Sequence, residues 1–258
     1  MPSFTQSQSD FSSLSYPQQL DYINHILKPN GLRHRGVCKL DHIQVFNKQS
    51  ASHIVLIGHY GSEHWPHFTS WLTAQPDQNI ADPLDTWSKS VIFDLAQQIG
   101  GQGLFPSDKP YLPFQRWAQG AQALPQSPIN LLIHPDYGTW HGYRGALALN
   151  FGVEPDVEPE KFENVCLTCV DKPCLTACPV DAFADRTVGN GFNYTSCQSF
   201  LKTDNGQSSC MEEGCLARNA CPFGLSYTYK SPHMTFHMRA FNKYYTLLTS
   251  KPEVHDLI

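Results

Sequence analysis

The chain has 258 residues, of which 41% are hydrophobic and 16% charged, with a formal net charge of −5 and a pI near 6.1. That length and apolar share suffice for a buried core in one large domain or two modest ones. The acidic balance disfavours a nucleic-acid partner, because there is no basic excess to neutralise phosphates, and no apolar run is long enough to predict a membrane span.

In chain order, residues 1–14 are rich in Ser and Gln and read as a flexible tail. Ser15 and Pro17 open a helix whose apolar face carries Leu20, Ile23 and Leu27, and Pro29-Asn30-Gly31 ends it. Residues 53–58, His-Ile-Val-Leu-Ile-Gly, predict a buried strand, and a helix follows through Trp65, Phe68, Trp71 and Leu72. His59, His64 and His67 straddle the turn between these elements. No carboxylate or cysteine completes a metal pattern there, so solvated or capping histidines are expected. Asp82-Pro83 starts a helix whose stripe of Leu84, Trp87, Val91, Leu95 and Ile99 runs to Gly100-Gly101. The glycine-rich run 100–103 follows a helix rather than a strand, so it reads as a helix stop and not as a phosphate loop.

A helix over 110–124 and strands over 129–135 and 143–151 complete a mixed layer structure. The acidic, proline-containing segment 152–163 marks the expected boundary, giving a domain over 15–155 and a second over 156–258. In the first, Cys38 is expected to be a buried small hydrophobe. In the second, Phe236, Met238, Phe241, Tyr244 and Tyr245 predict a C-terminal helix that packs on the domain and shields it from water.

Eight of the nine cysteines fall between Cys166 and Cys221. The opening residues show no signal-like pattern, so a cytoplasmic location and a metal or redox role are expected over a disulfide framework. The first run is Cys166-x2-Cys169-x4-Cys174-x3-Cys178-Pro179; the second is Cys197, Cys210, Cys215 and Cys221-Pro222. A cubane cluster has four iron corners, each taking one thiolate, and in two-cluster ferredoxins the cysteine before Pro ligates the other cluster. Applied here, that rule assigns Cys166, Cys169, Cys174 and Cys221 to one [4Fe–4S] cluster. It assigns Cys178, Cys197, Cys210 and Cys215 to a second. Two zinc sites are the alternative, although zinc favours paired Cys-x2-Cys knuckles without Cys-Pro.

Two stretches resemble known families. Cys197-Gln-Ser-Phe-Leu-Lys-Thr, Gly214-Cys215 and Ala220-Cys221-Pro222-Phe223-Gly224 are similar to the ferredoxin part of epoxyqueuosine reductases, which carry cobalamin beside two clusters. Ile133-His134-Pro135-Asp136-Tyr137-Gly138-Thr139-Trp140-His141-Gly142-Tyr143-Arg144-Gly145 resembles the Ile-His-Pro…Gly-x-Trp…Arg-Gly segment of the cobalamin-processing family behind methylmalonic aciduria and homocystinuria type C. The resemblances imply an α+β chain: a nitroreductase-like mixed sheet with surrounding helices, followed by a ferredoxin-like domain. They imply an oxidoreductase that removes the upper ligand of base-off cobalamin, as in decyanation, with electrons from two [4Fe–4S] clusters. A cytosolic flavoprotein or ferredoxin would be the electron donor, and glutathione is a co-substrate in the second family. His134, Tyr137, Gly138, Trp140 and Arg144 are then the expected cobalamin wall, with Arg144 on a corrin amide, a phosphate or a glutathione carboxylate. The same residues would also make a purely structural strand–turn–strand with an ion pair. Two other functions fit the pattern: a cobalamin-dependent reductase of another substrate, and a ferredoxin-type carrier or non-catalytic cobalamin chaperone.

Overall fold

A computed structural model describes residues 8–46, 49–77, 79–151, 161–183 and 191–249. The chain divides into two units by packing: Met1–Ala123 with His141–Phe162, and Leu124–Trp140 with Glu163–Ile258. Most of the expected boundary segment, residues 152–160, lies outside the described residues. Among the described residues, no helix is long and apolar enough to cross a membrane.

The first unit is α+β. Its sheet holds β1 (Arg33–Phe46), β2 (Gln49–Tyr60), β3 (Gln102–Leu104) and β4 (His141–Leu149). All pairings are antiparallel, in the order β1-β2-β4-β3. Ile54, Val55, Leu56 and Ile57 of β2 are all fully buried. Successive strand residues point to opposite faces, so this run is covered on both. β4 likewise buries Ala146, Leu147, Ala148 and Leu149.

Strand β1 was not expected from the sequence. It is an edge strand whose exposed Lys39, Asp41, His42 and Ile43 hide its buried Val37 and Leu40. Register shifts after His34 and after Lys39 break its alternation further. Charged side chains and bulges are common at sheet edges, where they discourage pairing with another chain.

Helices α1 (Gln8–Ser13), α2 (Tyr16–Leu27), α3 (Trp65–Thr73), α4 (Pro83–Ile99) and α5 (Phe114–Gln122) accompany the sheet. Helix α2 begins with a capping box, the Gln18 side chain accepting the Ser15 backbone N–H at 3.0 Å. Helix α4 opens on Pro83 and stops at Gly100, which adopts the left-handed conformation. The tail is less loose than its composition implied. Residues 1–7 lie outside the described residues, but α1 is helical and buries Phe11, whose ring meets Tyr22 edge-on at 5.7 Å. Cys38 is buried as expected, and burial, with Asp41 nearby, pushes its thiol pKa up.

The histidines at and beyond the end of β2 depart from expectation. His67 is exposed, but His59 and His64 are 2% and 0% exposed, with ring centroids 3.8 Å apart. His59 ends a central strand, and its Nδ1 contacts the Gly61 carbonyl at 3.1 Å, which folds the turn back onto the ring. Burial here is a tertiary effect that local spacing does not carry.

His34 gives this unit a pH dependence. Burial lowers its pKa; Asp21 opposes, and Arg35 and Arg33 push the same way as burial. The folded protein therefore binds fewer protons at His34 than the unfolded chain does. The contribution is full above about pH 6.5 and is lost as pH falls through the folded value. His34→Gln is expected to flatten the loss of stability between about pH 7 and about pH 5. Urea unfolding at both pH values checks this, and an unaltered slope would assign the dependence elsewhere.

The second unit has short helices α6 (Pro173–Thr176), α7 (Tyr194–Leu201), α8 (Asp204–Ser208), α9 (Cys210–Glu213) and α10 (Leu216–Asn219), then the long α11 (Ser231–Thr249). Its core is built around the cysteines. One cluster joins Ile129, Cys174, Ala182, Phe183 and Ala217, with Cys178, Cys197 and Cys215 packed against it. Another joins Leu201, Cys210 and Met211, covered by Met238 and Phe241 of α11. The side chains of Tyr244 and Tyr245 lie outside the described residues.

The strand expected over 129–135 is not formed. Pro128 and the left-handed Asn130 (φ 64°) turn the chain instead. Asn130 N–H donates to the Ser127 carbonyl at 3.0 Å, and Ile133 N–H to Pro125 at 2.9 Å. The apolar run is a tight loop that buries Ile129 and Ile133 in this unit.

Candidate functional site

The eight clustered cysteines sit on short elements fixed by local hydrogen bonds. Cys166 lies in a single turn over Val165–Leu167, capped by the Asn164 side chain, which accepts the Cys166 N–H at 3.0 Å. Cys174 belongs to α6, entered through Pro173. The Cys178 sulfur accepts the Ala182 N–H at 3.3 Å. Cys197 lies in α7 and Cys210 opens α9, while Cys215 and Cys221 flank α10. None of the nine cysteines is in a disulfide.

Electrostatics sorts these thiols into two sets of four. Burial pushes the Cys166 thiol pKa up, and so do Cys221, Cys174 and Cys169, with Lys172 opposing. Burial raises Cys174 as well, helped by Cys221 and Cys169. Cys221 is raised by burial and by Cys169, against the Phe223 backbone N–H and the Arg218 guanidinium. In the other set, Cys197 is pushed up to about 12 by burial and by Cys215, Cys178 and Cys210. Cys215 is raised by burial, with Cys210 and Cys178 adding and backbone hydrogen bonds opposing. Every thiol–thiol interaction resolved here stays within one set. The sets coincide with the interleaved grouping expected from the Cys-Pro rule.

Cys166, Cys169, Cys174 and Cys221 line one cavity, walled also by Ile129, Ile133, Pro222 and Phe223. Among the described residues, no three His, Cys, Asp or Glu side chains converge on a point as ligands of a single ion would.

The expected cobalamin wall is divided. His134, Tyr137, Gly138 and Trp140 belong to the second unit, whereas Arg144 is on β4 of the first. His134 and Gly138 exchange backbone hydrogen bonds at 2.9 and 2.8 Å around the turn at Pro135-Asp136. The His134 ring stacks on Tyr137 at 4.1 Å, and its Nδ1 accepts the Asp136 N–H at 3.1 Å. Gly138 lies against the backbone of Phe223 and Gly224. Trp140 is 1% exposed; the Arg218 guanidinium lies 4.7 Å from its ring and 4.5 Å from that of Tyr229. The segment thus clasps the Cys-Pro-Phe-Gly end of the cysteine-bearing chain, and His134, Gly138 and Trp140 turn no open face outward. In the first unit, Arg144 is half-buried, with its Nη1 3.5 Å from the Asp85 carboxylate and its Nε donating to the Tyr143 carbonyl at 3.2 Å.

Sequence reasoning missed Arg218 and Tyr229. Arg218 sits between Cys215 and Cys221, where ligand spacing says nothing of the residues between. No protein-family model matches the chain, and no curated protein matches it.

Proposed function

We propose that the second unit binds two [4Fe–4S] clusters and that the protein is a reductase with cobalamin as its substrate. The observation that carries the first part is the cavity lined by Cys166, Cys169, Cys174 and Cys221; the thiol–thiol electrostatics, which stays within two sets of four, agrees with it. Each thiolate of a cubane binds a different iron, so the sulfurs stand around a void instead of meeting at one point. A tetrahedral zinc site asks for the opposite, four sulfurs about 2.3 Å from one ion. The cavity lined by Cys166, Cys169, Cys174 and Cys221 fits the cubane requirement.

Bound there, such clusters supply one-electron transfer. The chain's own residues bind and shield them. The thiols give up their protons on binding, so uptake of iron strengthens as pH rises. Ile129, Ile133, Pro222 and Phe223 keep water from the first set, and Met238 and Phe241 pack over residues of the second.

The cobalamin part rests on the resemblance of the segment from Ile133 to Gly145 and on its pairing with an electron supply in one chain. Anaerobic titration of the iron-loaded protein with cyanocobalamin tests it by visible spectroscopy before and after reduction. A base-off spectrum that passes to Co(II) with loss of cyanide is the expected result; an unchanged spectrum at every protein concentration would remove cobalamin. Arg144→Ala is expected to weaken cobalamin binding and to leave iron content unaltered. Its ion pair with Asp85 is partly exposed and contributes at most about 1 kcal/mol to stability. Lost iron in that variant would tie Arg144 to the cysteine sites instead.

A ferredoxin-type carrier is the second reading. Burial of His134, Gly138 and Trp140 within the second unit favours it, because packing alone then accounts for three of the five wall residues.

A further inference from the structure

A fixed cation stands among the cysteines of the second unit, and little around it offsets its charge. Arg218 lies on α10, the short helix flanked by Cys215 and Cys221. Its guanidinium rests 4.7 Å from the centre of the Trp140 ring and 4.5 Å from that of Tyr229. Those rings are 1% and 4% exposed. The Arg218 Nη2 donates to the Thr139 carbonyl, while its Nε is buried without a hydrogen-bond partner among the described residues. Among those residues no carboxylate pairs with it. An arginine keeps its charge at any working pH, and a charge withdrawn from water is costly without an opposite charge nearby. Two aromatic faces recover part of that cost; the remainder calls for an anion.

Arg218 is also tied by its backbone to one cysteine of each set. Burial raises the Cys215 thiol pKa, and a hydrogen bond from the Arg218 backbone N–H opposes the rise. The Arg218 carbonyl accepts the Cys221 N–H at 3.2 Å. The side-chain charge bears on Cys221: burial raises that thiol's pKa, and the Phe223 backbone N–H and the Arg218 guanidinium oppose it.

We infer that the Arg218 guanidinium is the fixed counter-charge of the cluster held by Cys166, Cys169, Cys174 and Cys221, and that it keeps that cluster's reduction potential above the value it would have without the charge. The inference rests on the reading that this set holds a [4Fe–4S] cluster. Such a cluster with four thiolates is anionic, and reduction adds one more negative charge. A nearby fixed cation therefore stabilises the reduced form more than the oxidised one. The effect acts through space and needs no contact between the guanidinium and the cluster. Arg218 supplies no ligand.

The experiment uses the full chain after anaerobic reconstitution and compares it with Arg218→Met, which removes the charge, and Arg218→Lys, which keeps it. Iron and sulfide content are measured, and reduction is followed by electron paramagnetic resonance against potential. Cys178→Ala, expected to lose the second cluster, identifies the first cluster's signal. Arg218→Met is expected to hold both clusters and to shift the first to lower potential, with a smaller shift at the second; Arg218→Lys is expected to stay near the wild-type value. Equal first-cluster potentials in all three proteins would overturn the inference while leaving the cluster assignment standing. So would equal shifts in Arg218→Met and Arg218→Lys, or a larger shift at the second cluster than at the first. No iron uptake by the wild-type protein would overturn both. Should Arg218→Met lose the first cluster, Arg218→Gln, which can still donate to the Thr139 carbonyl, takes its place beside Arg218→Lys. A lower potential in Arg218→Gln sustains the role of the charge, and equal potentials reject it. Loss of the first cluster from both neutral variants would make Arg218 a structural support of the site and overturn the inference.

Discussion

Cys221→Ala should halve the iron content and abolish the first cluster's signal, although the run from Cys166 to Cys178 is untouched. Cys221 interacts with Cys166 and Cys174 across more than forty residues of sequence, and it lines their cavity. Cys178→Ala should remove the other cluster, because Cys178 acts on Cys197 and Cys215 despite standing four residues after Cys174. Resonance spectra and iron analysis of both variants check the pairing. If Cys178→Ala and Cys174→Ala deleted the same signal, the sites would be contiguous and the interleaved grouping would be wrong. Each variant should also unfold more readily than the wild type, since binding at such a site contributes to folding.

Gly138→Ala should unfold the second unit more readily by more than about 2 kcal/mol, combining left-handed strain with overpacking. Gly138 has φ 56°, and a methyl group there would meet the Phe223 carbonyl oxygen at 2.1 Å. Gly224 faces it with φ 72°, where a methyl group would meet the Tyr137 carbonyl carbon at 2.2 Å. Two turns approach so closely that neither tolerates a side chain. Chemical denaturation followed by tryptophan fluorescence measures the loss. A variant of wild-type stability with weaker cobalamin affinity would instead make Gly138 a ligand-contact residue and reject the clasp.

The spacing of the eight cysteines and their gathering into one unit were legible because donor identity and spacing survive without tertiary knowledge; their division between two clusters remains the proposal drawn from the Cys-Pro rule. Helices α2, α3, α4 and α5 were legible because their apolar periods are bounded by Pro, Gly and a capping box. Strand β1 was not, since an edge strand with Lys39, Asp41 and His42 outward offers no clean alternation. The loop over 129–135 was misread because Ile-Asn-Leu-Leu-Ile has strand composition, while Pro128 and Asn130 decide the backbone. The segment from His134 to Trp140 stood out as a motif. Its packing on Phe223 and Gly224 depends on a contact between distant parts of the chain, which no local pattern encodes. The stacked His59 and His64 were hidden for the same reason.

The passage of residues 124–140 into the second unit governs how the protein can be dissected. A cut after residue 162 yields a C-terminal fragment that contains all eight ligand candidates yet lacks the wall formed by Ile129 and Ile133 and the partner of Gly224. Such a fragment should emerge as insoluble or iron-poor material. A soluble miniature of the second unit would need 124–140 spliced ahead of residue 163 through a new linker. The complementary piece would need residue 123 rejoined to residue 141, so that β4 can still pair with β2.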